Sequence, residues 1–313
     1  MAKVSVIGAG NVGATCVNAM LHLNFCSDIV LLDIRQGYAE GKAMDMMQTS
    51  KIYQFDTRLV GVTNDYKATA NSDVVIITSG MPRKPGMTRE ELIGVNAKIV
   101  SEVTANVLKY SPNCIFEVIA NPMDPMTYLT LKKNKLNKHR VVGMGGLLDT
   151  SRFTYYLSRA LDVPVSDIEG MVIGGHGDKT MIPLIRMATY KGIPITSLLT
   201  NDECNKVVAD TMIGGATLTK LIGTSAWYAP GVSAATMAKS FIQDDRKMFP
   251  CCCYLEGEYG QKDICIGVPA ILGRDGWEKV VEFDLNAEER KLFAASADAT
   301  RNTAKILYDQ KLI

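Results

Sequence analysis

The stretch Val4-Ser-Val-Ile-Gly-Ala-Gly-Asn-Val-Gly13 decides the fold. Its first four residues have the apolar, β-branched character of a buried strand, and its three glycines form the pattern G-x-G-x-x-G. A segment with helical periodicity, residues 12–23, begins inside the pattern. The next apolar run ends at Asp33, which lies 33 − 13 = 20 residues beyond Gly13. A strand, a glycine turn, a helix and an acidic residue at this spacing predict a dinucleotide-binding unit.

Each part of this motif has a physical role in the predicted site. Gly8 permits the tight turn, Gly10 lets the backbone approach a pyrophosphate, and Gly13 allows the helix to pack closely on the strand. The free N–H groups at the helix N-terminus attract phosphates. Asp33 can accept hydrogen bonds from both ribose hydroxyls and would repel a 2′-phosphate, which favours NAD over NADP. Arg35 leaves room for some tolerance of NADP.

The first half of the chain alternates strand-like and helix-like segments. Near-continuous Val/Ile runs separated by helices are typical of a parallel sheet covered on both faces. We therefore predict an α/β fold with a doubly wound parallel (Rossmann) sheet in residues 1–144. Its strands are predicted at residues 4–7, 29–32, 58–62, 74–78, 115–119 and 141–143, and its helices at 12–23, 38–50, 88–110 and 124–136.

The pattern changes after residue 144, where we predict a second, α+β domain in residues 145–313 that holds the substrate. Helices are expected at 146–161, 202–226, 232–241 and 286–312, a strand at 168–173, and a hairpin from 248–255 to 264–268. No linker rich in Pro, Gly or Ser separates the halves, so we expect them to pack tightly.

Composition narrows the class of protein. The 313 residues carry 34 basic and 33 acidic side chains, so no global field attracts nucleic acid or a membrane surface. No apolar run reaches the roughly 18 to 20 residues of a membrane helix. The chain enters its first strand directly after Lys3, unlike a signal peptide, which favours a cytoplasmic location.

The eight cysteines are interpreted as reduced cytosolic thiols, because no C-x-x-C pair and no histidine at zinc-ligand spacing accompanies them. The run Cys251-Cys252-Cys253 invites a metal interpretation. Successive strand side chains point to opposite faces, however, so three in a row do not converge easily. We predict no metal site.

Three clusters and one loop carry candidate chemistry. Asn121 follows a predicted strand, at the sheet edge where ligands bind in such folds. Asp149 and Arg152 are three apart on a predicted helix, so they project from one face. His176 is flanked by glycines that keep its imidazole accessible, whereas His22 and His139 look structural. The loop 81–89 places Arg83 and Arg89 beside the fold, which suggests a small, doubly negative substrate.

Taken together, these motifs resemble the lactate/malate dehydrogenase family over essentially the whole chain. The resemblance implies that His176 donates and accepts the proton and that Asp149 orients it. It implies that Arg152 binds the substrate C1 carboxylate, that Arg89 polarises the reacting carbonyl, and that the loop 80–91 closes as a lid. Asn121 would hold substrate and nicotinamide, and NAD contacts are implied for Gly8, Gly10, Asn11, Val12, Gly13, Asp33, Asn96 and Asn121. The family also implies a homo-oligomer, a tetramer or a dimer.

Substrate choice within the family is predicted from Arg83, since lactate enzymes typically carry glutamine at that position. Malate and oxaloacetate bring a second carboxylate, whereas pyruvate brings a methyl group. Closing the loop over pyruvate would leave Arg83 desolvated and unpaired, at a cost of several kcal/mol. Ala226 is compatible with room for a carboxylate. The malate form is therefore favoured.

Three alternatives stay open: a lactate dehydrogenase, a non-catalytic NAD-binding sensor, and another nicotinamide enzyme such as an NAD-dependent glycosidase. The sensor would have no need for His176, Asp149, Arg89 and Arg152 together.

Two residues depart from the family pattern. Pro125 stands where an aliphatic residue is common, and Thr154 stands where a second arginine is common.

Arg83→Gln is expected to lower kcat/KM for oxaloacetate about 10²-fold or more, because the distal carboxylate loses its charged partner. This factor corresponds to a loss of roughly 3 to 5 kcal/mol of transition-state stabilisation. Turnover of pyruvate should be spared or raised. Steady-state kinetics with NADH on both keto acids measure this. Unaffected oxaloacetate turnover would show that Arg83 has no such role.

Overall fold

The structure, a computed structural model, describes residues 2–82 and 87–313, so the predicted role of Arg83 lies outside the described residues. Six parallel strands form the first part of the main sheet: β1 Lys3–Ile7, β2 Asp28–Asp33, β3 Arg58–Thr63, β4 Val74–Ile77, β5 Ile115–Val118 and β6 Val141–Gly143. Their spatial order is β3-β2-β1-β4-β5-β6. The order reverses direction between β1 and β4, which confirms the predicted doubly wound sheet.

The helices that follow these strands are α1 Asn11–Leu23, α2 Tyr38–Met47, α3 Ser50–Tyr53, α4 Arg89–Leu108, α5 Met123–Lys133 and α6 Gly146–Leu161. The helix α1 packs on one face of the sheet, and α4 and α5 pack on the other. Alternate strand residues enter opposite cores, as a pleated sheet requires. Val4 and Val6 of β1 pack in the core that contains the apolar face of α1, whereas Ile7 packs in the core that contains α4 and α5.

The second half extends the same sheet by antiparallel pairing. Its strands are β7 Ile168–Glu169, β8 Val172–Gly174, β9 Met181–Pro183, β10 Thr189–Tyr190, β11 Ile193–Pro194, β12 Met248–Glu256, β13 Lys262–Gly273 and β14 Gly276–Val280. Its helices are α7 Asn201–Met212, α8 Gly214–Ile222, α9 Tyr228–Gln243 and α10 Ala287–Asp309. β12 joins β6 through the pair Cys252 and Gly143, and β13, β8, β9 and β14 continue from it. The division into domains 1–144 and 145–313 stays a prediction.

Three predicted elements differ from the structure. The helix predicted at 202–226 is broken into α7 and α8 at Gly214, and it ends before Gly223, whose φ is +75°. The strand predicted at 168–173 is two strands, β7 and β8, that pair in different sheets. The predicted hairpin is real, but its second strand runs on to Gly273 and turns into β14, which the sequence pattern did not indicate.

Pro125, one of the departures from the family pattern, lies in the first turn of α5. A proline there removes no hydrogen bond that the helix would otherwise make, so the helix tolerates it. Among the helices of residues 2–82 and 87–313, none is long and apolar enough to cross a bilayer.

The packing of α1 on β1 depends on Gly13. A Cβ at this position would lie 1.9 Å from the carbonyl oxygen of Gly8, an overlap that neither backbone segment can relieve without moving. The sequence argument for Gly13 as the close-packing glycine is supported by this contact.

We expect Gly13→Ala to destabilise the protein by about 3 kcal/mol, because overpacking outweighs the gain of roughly 1 kcal/mol in helix propensity. Gly41→Ala is the matched control: Gly41 is also helical, and a Cβ there meets no described atom within 4 Å. The control should be neutral or slightly stabilising. Denaturant unfolding of the two variants measures the difference, and equal stabilities would contradict the packing role of Gly13.

Candidate active site

A cleft of about 590 Å³ opens at the carboxyl ends of β1, β4 and β5, the edge where doubly wound sheets bind ligands. Both halves of the chain contribute to its wall. Eight of the predicted site residues line it: Gly10, Asn11, Val12, Gly13, Asn96, Asn121, Arg152 and His176. The wall also includes Ser225, Ala226 and Trp227, the segment in which room for a carboxylate was expected.

The glycine turn is held in place through Ala9, which lies between Gly8 and Gly10. The Ala9 N–H donates to Oδ2 of Asp33 over 2.8 Å, and the Ala9 carbonyl accepts from Nζ of Lys42, also over 2.8 Å. Two side chains of opposite charge thus fix both polar groups of one peptide residue. The sequence analysis missed Lys42, since nothing in its spacing marks a contact with a residue 33 positions away.

The N-terminus of α1 is left free to bind an anion. No described side chain caps it, and its first turn contains no acidic residue. By contrast, α4, α7 and α10 each begin with a complete capping box. A Cβ at Gly10 would meet no described atom within 4 Å, so the turn leaves open space at that point. Unpaired N–H groups and the helix dipole at an open turn suit the pyrophosphate of a dinucleotide.

Asp33 has both carboxylate oxygens in hydrogen bonds. Burial alone would raise its pKa, but the N–H groups of Arg35 and Ala9 outweigh burial and lower the pKa, so the side chain is charged. The Arg35 guanidinium carbon lies 3.4 Å from the centre of the Tyr38 ring, and both residues line the cleft. Asp33 itself lies behind this pair, and Tyr38 is a wall residue that the sequence did not reveal.

A single carboxylate joins the two residues predicted to act on the substrate. Oδ2 of Asp149 lies 2.8 Å from Nδ1 of His176, and Oδ1 accepts from Nη1 of Arg152 over 3.2 Å. The Asp149 side chain is 3% exposed, and it lies behind the cleft wall. The expected orienting pair is therefore present in the geometry.

The pKa of His176 follows from this contact. Burial would lower the pKa of the imidazole, but the charge and hydrogen bond of Asp149 outweigh burial and raise it above its usual value. Asp124 adds to the increase, and the charge of Arg152 opposes it. The imidazolium form therefore persists to higher pH than in an ordinary histidine, with the ring still partly accessible from the cleft.

Glycines allow the backbone to approach both residues. A Cβ at Gly145 would lie 3.0 Å from Cβ and Cγ of His176. Gly214 and Gly215 face the Arg152 side chain, where an added Cβ would come within 3.2 and 3.4 Å. The two adjacent glycines in a helical pattern were the signal that could have located this contact in the sequence.

Asn96 joins two loops of the cleft wall. Its Oδ1 accepts from the Met81 N–H over 2.7 Å, and its Nδ2 donates to the carbonyls of Met81 and Asn121, over 3.0 and 2.6 Å. With 1% of its surface exposed, the side chain uses its amide to hold the protein backbone. The cofactor contact that the family resemblance implies for Asn96 stays a prediction.

The structure does not bring Arg89 to the cleft. It is an exposed residue at the first position of α4 and lies outside the described lining. Its predicted action on a substrate carbonyl, like that of the undescribed Arg83, stays a prediction.

Asp124 is a third residue that the sequence analysis missed, after Lys42 and Tyr38. It is buried in the first turn of α5, and its Oδ2 accepts the backbone N–H of His176 over 2.8 Å. A carboxylate is ordinary in the first turn of a helix, so no local signal in the sequence marks this contact.

Two family models match the chain. Residues 2–143 match the lactate/malate dehydrogenase NAD binding domain, and residues 147–307 match the lactate/malate dehydrogenase alpha/beta C-terminal domain. The chain is similar to the malate dehydrogenase of Bacteroides thetaiotaomicron, with 63% identity over 97% of both chains.

Two solved structures are also similar over nearly the whole chain. One is the malate dehydrogenase of Salinibacter ruber, with 41% identity and a TM-score of 0.94 over 99% of this chain and 98% of that one. The other is the lactate dehydrogenase of Cryptosporidium parvum in complex with lactic acid and NAD, with 34% identity and a TM-score of 0.93 over 98% of both.

Asp149→Asn should lower the pKa of the His176 imidazole, because the neutral amide removes the charge that does most to raise it. Titration of the histidine ring resonances by NMR measures the shift. Asp178→Asn is a matched control, since it removes an exposed charge two residues from His176 that has no described contact with the ring. An equal shift in both variants would contradict a specific effect of Asp149.

Proposed function

The chain belongs to the lactate/malate dehydrogenase family, and on that premise we propose that it is an NAD-dependent malate dehydrogenase. It interconverts (S)-malate and oxaloacetate, with hydride passing to and from the nicotinamide. The observation that carries the proposal is one cleft lined both by the uncapped glycine turn and by His176 and Arg152, which Asp149 joins from behind the wall.

The residues present fit the cofactor. The free N-terminus of α1 and the open turn at Gly10 would take the pyrophosphate, and Asp33 at the end of β2 would take the ribose. When bound, NAD supplies the acceptor or donor of the hydride. The charge that Asp33 keeps would repel a 2′-phosphate, which supports a preference for NAD over NADP.

His176 moves the proton in this proposal. In the reduction of oxaloacetate the imidazolium gives its proton to the C2 oxygen, and in the oxidation of malate the neutral ring takes it. Because Asp149 raises the pKa of His176, the acid form persists to higher pH than in a free histidine. Reduction is therefore favoured below that pKa, and oxidation above it.

Arg152 is prepared to bind a carboxylate. Its Nε is buried and has no hydrogen bond partner among the described residues, although Nη1 contacts Asp149. A buried guanidinium with a free N–H is unsatisfied until an anion arrives. The planar fork of arginine suits bidentate binding of the C1 carboxylate, for which a lysine would be only a point charge.

The choice of a dicarboxylate substrate also rests on Arg83, and polarisation of the reacting carbonyl rests on Arg89; both roles are carried over from the family. Asn121, which lines the cleft, would orient substrate and nicotinamide. A cytoplasmic location is supported by eight free, buried thiols. A homo-oligomer is carried over from the family.

We expect kcat/KM with NADH to be at least about tenfold higher for oxaloacetate than for pyruvate, since the distal carboxylate compensates a charge that a methyl group leaves unpaired. Initial rates of NADH oxidation on both keto acids provide the measurement. His176→Asn is the control: it should retain NADH binding and lose turnover of both substrates. A preference below tenfold would overturn the malate assignment, and NADH binding without any turnover would favour the sensor.

A further inference from the structure

A second buried carboxylate contacts His176, from a different part of the chain. Asp124 lies in the first turn of α5, and its Oδ2 accepts the backbone N–H of His176 over 2.8 Å. Its other oxygen, Oδ1, is buried and has no hydrogen bond partner among the described residues. Asp149 holds the ring of His176, whereas Asp124 holds its backbone.

The contact with Asp124 connects the two halves of the site. Asp124 follows β5 and lies three residues beyond Asn121, which lines the cleft on the nucleotide side. His176 lies 52 residues further along the chain, in the turn between β8 and β9. That turn is rich in glycine, so its own backbone preferences do not fix where His176 lies. Acceptors from other elements hold this turn: Ser296 Oγ accepts the Gly175 N–H over 2.9 Å, and Asp124 accepts the N–H of His176 itself.

We propose that Asp124 is a positioning residue, which fixes the backbone of His176 relative to Asn121 and so sets the path of the proton to the substrate. The inference rests on the proposed function, since it assigns His176 the proton transfer. A displacement of a catalytic group by about 1 Å can cost roughly 10²-fold in rate, so one hydrogen bond at this point is sufficient to matter.

The charges around this pair also favour the acid form of His176. The groups that face His176 are Asp149 and Arg152 on α6 and Asp124 on α5, and those that face Asp124 are His176, Asp149 and the thiol of Cys252 on β12. Burial raises the pKa of Asp124, and His176 opposes this increase. Removing the negative charge of Asp124 should therefore lower the pKa of His176.

Two substitutions distinguish the effect of Asp124 on the position of His176 from the effect of its charge. Asp124→Ala removes the acceptor and the charge, so kcat for oxaloacetate should fall about 10²-fold while the Kd for NADH stays unchanged. Asp124→Asn keeps an oxygen that can accept the His176 N–H. It should recover most of kcat, but the pKa in the pH profile of kcat should lie below that of the wild type.

Glu117→Gln is the matched control. Glu117 is a fully buried carboxylate on β5, and neither of its oxygens has a described hydrogen bond partner. Burial raises its pKa well above the usual value, which favours the uncharged acid, and glutamine has nearly the same size and shape. This variant should keep the wild-type kcat and pH profile, which would show that loss of a buried carboxyl group alone has no such effect.

The outcomes distinguish positioning from a merely structural role. Unchanged kcat in folded Asp124→Ala would overturn the proposal, and so would equal kcat values and identical pH profiles in the Ala and Asn variants. If Asp124→Ala does not fold, Asp124→Ser replaces it, because the serine hydroxyl ends one bond short of the Oδ2 position.

If the wild type does not reduce oxaloacetate, the proposed function fails. NMR of the His176 backbone amide in Asp124→Ala then tests the inference separately, because that N–H loses its acceptor. An unchanged chemical shift and hydrogen-exchange rate of this amide would overturn it.

Discussion

One buried carboxylate constrains the whole site. An ionised side chain that is only 3% exposed would be costly without partners, and Asp149 finds two, the Arg152 guanidinium and the His176 imidazole. Both must therefore converge on the same point, although one lies on α6 and the other in the turn after β8. Gly145, Gly214 and Gly215 are small because these side chains occupy the space beside them. The start of α8 therefore lies at the point where the Arg152 side chain needs space.

The nucleotide half depends on a different constraint, the fixed peptide at Ala9. Asp33 and Lys42 hold its N–H and its carbonyl, and Gly13 brings α1 against the same turn. The loop is thus ordered before any ligand arrives, so binding needs little further ordering of the backbone. Asn96 has a comparable effect on the opposite wall, where it holds Met81 and the Asn121 carbonyl.

Local patterns were sufficient to predict the parallel sheet, the glycine turn and the shared helix face of Asp149 and Arg152, whereas the pairing of Asp149 with His176 was implied by the family resemblance. Strand and helix periodicity, and the spacing of Asp149 and Arg152, are properties of short segments. The break at Gly214 and the split of the strand at 168–173 depend on contacts between distant segments, such as Gly214 with Arg152. The hydrogen bond from His176 to Asp124 spans 52 residues, and no local signal in the sequence indicates it.

The burial of every cysteine has a practical consequence. All eight thiols are free and inaccessible in the folded chain, and burial raises the pKa of several of them, among them Cys16, Cys114 and Cys252. A thiol-alkylating reagent would therefore react only with molecules that have opened, so its rate reports opening rather than surface chemistry. Because Cys16, Cys26 and Cys114 lie in the first half and the other five in the second, mass spectrometry of alkylated peptides would reveal which half opens first.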